Sequence, residues 1–224
     1  MHCFSCNIHF AEGSKACSVC GSHLDTDSDR YFKAGMEALA EGNIDRSVML
    51  LEDCVGLNAS HVSGRYNLGI ALSLADRCTE AMEHYATIVD EHPDYPGIYT
   101  AMGQAAFGSY LLHLSEAEAQ CNAMLDFLMT AIEQDSNDVD AYFSLANAYI
   151  ALENPEEALQ WIEKALHIHP DSPAINFTMA KILKMLGKSD EASKAAEKSV
   201  QLSGPGDPFW EEIKGFSAEL RGAA

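Results

Sequence analysis

The chain has 224 residues, with 14 Lys and Arg against 34 Asp and Glu, a formal net charge of -20 and 47% hydrophobic residues. So acidic a chain repels polyanions, because nucleic-acid affinity comes largely from Lys and Arg displacing counterions from phosphates, and nucleic acid is excluded as the main ligand. No run approaches the roughly 18 uninterrupted apolar residues of a membrane-spanning helix, and residues 1–6 lack the charged and apolar regions of a secretory leader, so the expected compartment is the cytoplasm.

Residues 1–24 read as a small metal-binding module. Cys3 and Cys6, a ten-residue spacer, then Cys17 and Cys20 form two C-x2-C turns, whereas Cys54, Cys78 and Cys121 are scattered. Two such turns supply four thiolates that close a tetrahedron around Zn²⁺, and so short a piece cannot bury a core without a staple. Haem attachment needs His after the second Cys of a pair, where Asn7 and Gly21 stand, and disulfides are disfavoured in the cytoplasm. A rubredoxin-type iron site or a redox dithiol would use the same ligands, and the spacing leaves both open.

The stretch Cys3-Phe4-Ser5-Cys6, followed by Glu12-Gly13-Ser14-Lys15-Ala16-Cys17-Ser18-Val19-Cys20-Gly21-Ser22-His23-Leu24, resembles the bacterial and archaeal zinc-ribbon module. The resemblance implies a β-hairpin fold and one structural Zn²⁺ held by Cys3, Cys6, Cys17 and Cys20, with no open coordination position. His2, His9 and His23 then lie outside the ligand set. The family carries Gly after each knuckle. Gly21 keeps that pattern, and Asn7 departs from it with a residue that tolerates the left-handed conformation. Asp25 to Asp29 form a polar junction, with Ser28 or Asp29 the expected N-cap of the first helix.

From residue 28 onward the sequence repeats. Small residues recur at Gly35, Gly69, Gly103, Ala146 and Ala180, at intervals of 34, 34, 43 and 34. Two further ladders keep the same intervals: Ser47, Ala81, Met124, Ala158, Ala192, and Cys54, Ile88, Ala131, Ala165, Ser199. Between them apolar residues recur at helical spacing, as in Tyr142, Leu145, Ala146 and Tyr149 and then Ala158, Ile162 and Ala165, so each unit reads as two helices. Pro93 and Pro170 stop second helices.

A helix-turn-helix unit of this length resembles the tetratricopeptide repeat, most closely in Tyr142, Leu145, Ala146, Tyr149, Ala158, Ala165 and Pro170. The resemblance implies an all-α solenoid of about five units, at 28–61, 62–95, 96–138, 139–172 and 173–206. Small side chains let the two helices of a unit approach where they cross. The third unit holds nine extra residues between Gly103 and Met124, expected to be shared between its two helices, with Ser115 and Glu118 as a capping box. The apolar run from Tyr110 to Leu114 is read as local packing or as a ridge for a partner or a second copy. After Gly204-Pro205-Gly206, Asp207-Pro208 opens a C-terminal capping helix over 207–221, with Phe209 and Trp210 expected to cover the last unit and Glu211, Glu212 and Glu219 to face water.

In the family the first helix of each unit lines a concave, partner-binding surface. Carried over by the ladders, that surface takes in Phe32, Met36, Tyr66, Ile70, Thr100, Gln104, Phe143, Asn147, Phe177 and Lys181. One subclass clamps a partner's C-terminal carboxylate with Lys, Asn and Arg; Phe32, Met36 and Tyr66 stand at comparable places, so the clamp is missing. Between Arg77 and Lys164 there is no Lys or Arg and there are sixteen Asp or Glu. The expected occupant is therefore an apolar or amphipathic protein segment with basic flanks.

Enzyme signals are weak. Gly187-Lys188-Ser189 lacks the earlier Gly and the preceding strand of a phosphate-binding loop, and neither G-x-S-x-G nor H-E-x-x-H occurs. Glu163, His167 and His169 form a metal-capable triplet best explained as exposed helix-end residues, and Cys54 falls on a small-residue ladder as core. The expected function is a non-catalytic scaffold with a structural zinc site. The alternatives are an iron or dithiol redox module on that scaffold, or a homo-oligomeric assembly protein.

Overall fold

The computed structural model describes residues 2–3, 6, 8–9, 14, 16–22, 27–112, 117–207 and 209–222. The chain divides into two compact units, Met1–Ala117 and Glu118–Ala224. In the first, the short strands β1 (His2–Cys3) and β2 (Ile8–His9) pair antiparallel, with His2 opposite His9 and Cys3 opposite Ile8. Five helices follow: α1 (Ser28–Ala40), α2 (Ile44–Leu57), α3 (Val62–Leu74), α4 (Cys78–Glu91) and α5 (Ile98–Leu112). The second unit holds α6 (Ala117–Gln134), α7 (Val139–Ala151), α8 (Pro155–Ile168), α9 (Pro173–Met185), α10 (Ser189–Leu202) and α11 (Trp210–Gly222). Among the described residues the fold is an all-α array of consecutive helices preceded by a small Cys-rich segment.

Helix starts are written in the sequence. Asn43, Asp138, Asn154 and Ser172 each accept a hydrogen bond from the backbone N–H three residues on, and Pro155 and Pro173 occupy the first helical turn, where a missing N–H costs nothing. At α1 the cap is Asp27, which accepts from Asp29 N–H, rather than Ser28 or Asp29. His61 caps α3 through Nδ1, which accepts from Gly64 N–H at 2.9 Å. Helices α4 and α8 end two residues before Pro93 and Pro170.

The three ladders form the cores. Every residue on them is buried. In the first helical pair Gly35 lies where a Cβ would stand 2.7 Å from Leu51 Cγ, and Ser47 donates from its hydroxyl to the Gly35 carbonyl at 3.0 Å. Two ladder positions on crossing helices thus touch directly, which a larger side chain at either would prevent. In the second unit, Tyr142, Ala146, Ala158, Ile162, Ala165, Ile175 and Ile182 make one buried cluster.

The extra residues of the third repeat are shared nearly equally. Helix α5 runs four residues further past Gly103 than α3 does past Gly69, and α6 starts four residues earlier before Met124 than α4 before Ala81. Each helix therefore gains about one turn. Leu111 and Leu112 in the extension are exposed; the expected capping box at Ser115 lies outside the described residues.

The C-terminal helix starts later than the Asp207-Pro208 signal implies. Asp207 accepts from Phe209 N–H through its side chain and from Trp210 N–H through its carbonyl, which makes a turn before the helix; Pro208 lies outside the described residues. Phe209 is 59% exposed and does not cover the last repeat. Ile213 and Leu220 do, buried to 1% and 5%, with Ser217 beside them. Glu212 and Glu219 are solvent-exposed but pair with Lys181 and Lys184 of α9.

Candidate functional site

Among the described residues, one place in each unit is a candidate site. In the first, the Sγ atoms of Cys3, Cys6, Cys17 and Cys20 all lie within 4.8 Å of one another, and Cys3 Sγ is 3.7 Å from Cys20 Sγ. A regular tetrahedron with metal–sulfur bonds of about 2.3 Å has edges of about 3.8 Å, so the thiols fit a tetrathiolate metal. Backbone geometry sets the second pair: Cys17 accepts from Gly21 N–H through its carbonyl and donates its N–H to the Ser22 carbonyl, both at 2.8 Å, with Gly21 at φ +73°. That left-handed turn is the reason for Gly here. Asn7, at the other knuckle, lies outside the described residues, as does His23.

The four thiols are not equivalent. Cys3 and Cys17 are buried, Cys6 is half-buried and Cys20 is exposed. A hydrogen bond with the Ser22 hydroxyl, assisted by the Ser22 backbone N–H, pulls the Cys20 thiol down to about 6; hydrogen bonding to Cys20 and burial push Cys6 up to about 12. Ser22 thus favours the thiolate form of Cys20, the form that binds a metal. By contrast Cys54 is pushed up to about 11 by burial, and burial also raises Cys78 and Cys121, so none of these three is a ready nucleophile. All seven cysteines are free thiols. Among the described residues Glu163, His167 and His169 do not come together as a ligand set.

In the second unit a pocket of about 210 Å³ is lined by Phe143 and Asn147 of α7, Ala174, Phe177, Thr178 and Lys181 of α9, and Asp207, Phe209, Glu212 and Ile213. Four side chains that the ladders place on the binding surface thus share one pocket. Its third wall, made by Asp207, Phe209, Glu212 and Ile213, belongs to the segment expected only to cap the array. The signal for it is the repeat itself, since α11 packs on α10 as α9 packs on α8, in the place of a further first helix. Lys181 Nζ lies 4.1 Å above the Phe177 ring and 3.0 Å from Glu212 Oε1. With Asp207 and Glu212 facing one Lys, the pocket is apolar with a net acidic rim.

The first-unit positions are placed differently. Phe32 packs on the His61 ring at 5.0 Å, and Tyr66 lies 5.2 Å from Tyr95 and 6.0 Å from Tyr85, so these aromatics serve contacts within their own unit. Met36 and Ile70 are half-buried, Thr100 is buried and Gln104 is exposed. Among the described residues no helix is long and apolar enough to cross a membrane.

Known proteins share the repeats and their fold. Residues 32–96 and 139–172 each match tetratricopeptide repeat family models. Anaphase-promoting complex subunit 3 of Schizosaccharomyces pombe is 25% identical over 194 residues, which cover 86% of this chain but only 28% of that much longer protein. Among solved structures, TTC0263, a thermophilic tetratricopeptide-repeat protein of Thermus thermophilus, is similar with a TM-score of 0.75 at 20% identity, over 87% of this chain and 99% of that one. YrrB, described as a tetratricopeptide-repeat protein with an unusual peptide-binding site, is similar with a TM-score of 0.53 at 15% identity, over 85% and 93%. Residues 32–96 and 139–172 are tetratricopeptide repeats, and the helical array around them has the tetratricopeptide-repeat fold.

Proposed function

We propose that this chain is a non-catalytic adaptor that holds an amphipathic, basic-flanked segment of a partner protein, and that its Cys-rich segment carries one structural zinc. The observation that carries the adaptor reading is the pocket between α7, α9 and the Asp207–Ile213 segment: aromatic floor, acidic rim and one Lys held by its own Glu. A bulky apolar side chain fills such a floor, and a neighbouring Lys or Arg meets Asp207 and Glu212. The peptide-binding site named for YrrB supports the same direction.

Panning a displayed random-peptide library against the purified chain tests this. Enriched sequences should pair Leu, Phe or Trp with Lys or Arg, bind at least tenfold more weakly to Phe143→Ala, and lose their basic preference on Glu212→Lys. Selection of acidic sequences, or binding indifferent to both substitutions, would refute the reading.

For the metal, a bound Zn²⁺ would hold the four thiolates, offset half of their charge and cross-link the two C-x2-C turns, with no position left for a substrate. Elemental analysis should give one zinc per chain, lost when Cys3 and Cys17 are both replaced by Ser. A red, iron-containing protein would instead favour the rubredoxin-type alternative.

A further inference from the structure

Tyr31 of α1 is fully buried, and its hydroxyl makes two hydrogen bonds to one residue of the Cys-rich segment. It accepts from His2 N–H at 2.9 Å and donates to the His2 carbonyl at 3.2 Å. His2 itself is only 1% exposed. The N–H and C=O of a single strand residue point to the same side, so the Tyr31 hydroxyl stands where a third strand would pair with β1, on the edge away from β2. One side chain closes an edge that would otherwise be open to water.

The residue after His2 is Cys3, buried and 3.7 Å from Cys20. Two strands of two residues each cannot hold their own register, since an isolated hairpin of that size has neither core nor ladder to fix it. Fixing the backbone of His2 fixes the direction in which the next side chain leaves the strand, because successive side chains alternate. We infer that Tyr31 is a positioning residue for the four-thiolate site, so that metal binding by the Cys-rich segment and the folding of the α1–α2 pair are coupled. The inference rests on the metal reading proposed above.

Coupling is reciprocal: whatever the Tyr31 hydroxyl adds to metal affinity, the bound metal returns to α1. Tyr31 also packs with Ala38, Leu50 and Cys54 in the core of the first helical pair, so the signal has a direct route from the hairpin into both helices.

The test uses the full chain and Zn²⁺ as the probe. Tyr31→Phe keeps the ring in its place and deletes only the hydroxyl. Tyr142→Phe is the control, since the Tyr142 hydroxyl donates to the Ser136 carbonyl in the other unit at 3.2 Å. Competition against a chromophoric chelator should show zinc affinity reduced roughly tenfold in Tyr31→Phe, the size expected for two net hydrogen bonds, and unchanged in Tyr142→Phe. Hydrogen exchange of residues 28–40 should accelerate when zinc is stripped from the wild type. In Tyr31→Phe it should start faster and respond little to stripping.

Equal zinc affinity in Tyr31→Phe and wild type, or exchange over 28–40 that ignores verified metal loss, overturns the coupling and leaves the metal reading intact. A wild-type chain that binds no zinc overturns both.

Discussion

Tyr85 of α4 lies against the backbone of Gly69 in α3 so closely that a Cβ on residue 69 would overlap its ring. Tyr85 is 1% exposed and has no room to withdraw. Gly69→Ala should therefore destabilise the first unit by about 3 kcal/mol, the upper range for overpacking a core. Gly56→Ala is the contrast: a Cβ there meets nothing within 4 Å, and the change should be neutral or stabilise by up to about 1 kcal/mol. Chemical denaturation of the two variants checks the pair. Adding Tyr85→Leu to Gly69→Ala should cost much less than the two single losses added together, because the smaller side chain relieves the overlap.

The turn between the two helices of a repeat needs a left-handed residue. Gly42 and Gly187 supply it at φ +76° and +73°, but Asp76 and Glu153 take the same role at +59° and +54°. A Cβ in that conformation costs about 1–2 kcal/mol, which Gly avoids at a smaller entropic cost. Glu153→Gly should thus raise stability by about 0.5–1 kcal/mol, and Gly187→Ala should lower it by about 1 kcal/mol. Thermal midpoints moving together in either direction would refute the account.

Much of this fold is legible because the repeat forces it. Gly35 and Ser47 can be paired from spacing alone, and the structure puts the Ser47 hydroxyl on the Gly35 carbonyl. Asp76 and Glu153 are harder to read, because neither residue type announces a left-handed turn; only their 34-residue offset from Gly42 and Gly187 does so. The four clustered cysteines are evident from two C-x2-C turns, but their tie to Tyr31 is not, since a buried hydroxyl bonded to a backbone 29 residues away leaves no local pattern. Ladder position puts Phe32 and Tyr66 on a binding surface. Their aromatic neighbours, His61 and Tyr95, come from connections between repeats that no ladder follows.

Acidification should weaken the first unit through His84. Burial lowers its pKa below the usual His value, with nearby Arg65 adding to the effect against the opposing charges of Glu52, Glu83 and Glu80. The folded form thus keeps His84 neutral where the unfolded chain takes up a proton. Stability is fully present above about pH 6.5, the unfolded value, and is lost as pH falls through the folded value. Denaturation midpoints between about pH 7 and 5.5 should fall less steeply in His84→Gln than in the wild type. Parallel curves would show that His84 does not contribute.

The C-terminal helix is held by its apolar face and not by its two visible ion pairs. Lys181–Glu212 and Lys184–Glu219 are short, at 3.0 and 2.8 Å, but all four side chains are at least 40% exposed, where such pairs contribute about 0–1 kcal/mol. Ile213 and Leu220 are buried, and Phe216 meets the Phe177 ring edge-on at 5.4 Å. Ile213→Ala should cost about 2–5 kcal/mol, while Glu212→Gln with Glu219→Gln together should cost under about 2 kcal/mol and less still at high salt. The distinction matters for binding, because Ile213 and Glu212 both line the pocket. If the charge variant keeps its fold while losing affinity for basic peptides, the acidic rim acts on the ligand; if it unfolds α11 as readily as Ile213→Ala does, the two ion pairs belong to the scaffold instead.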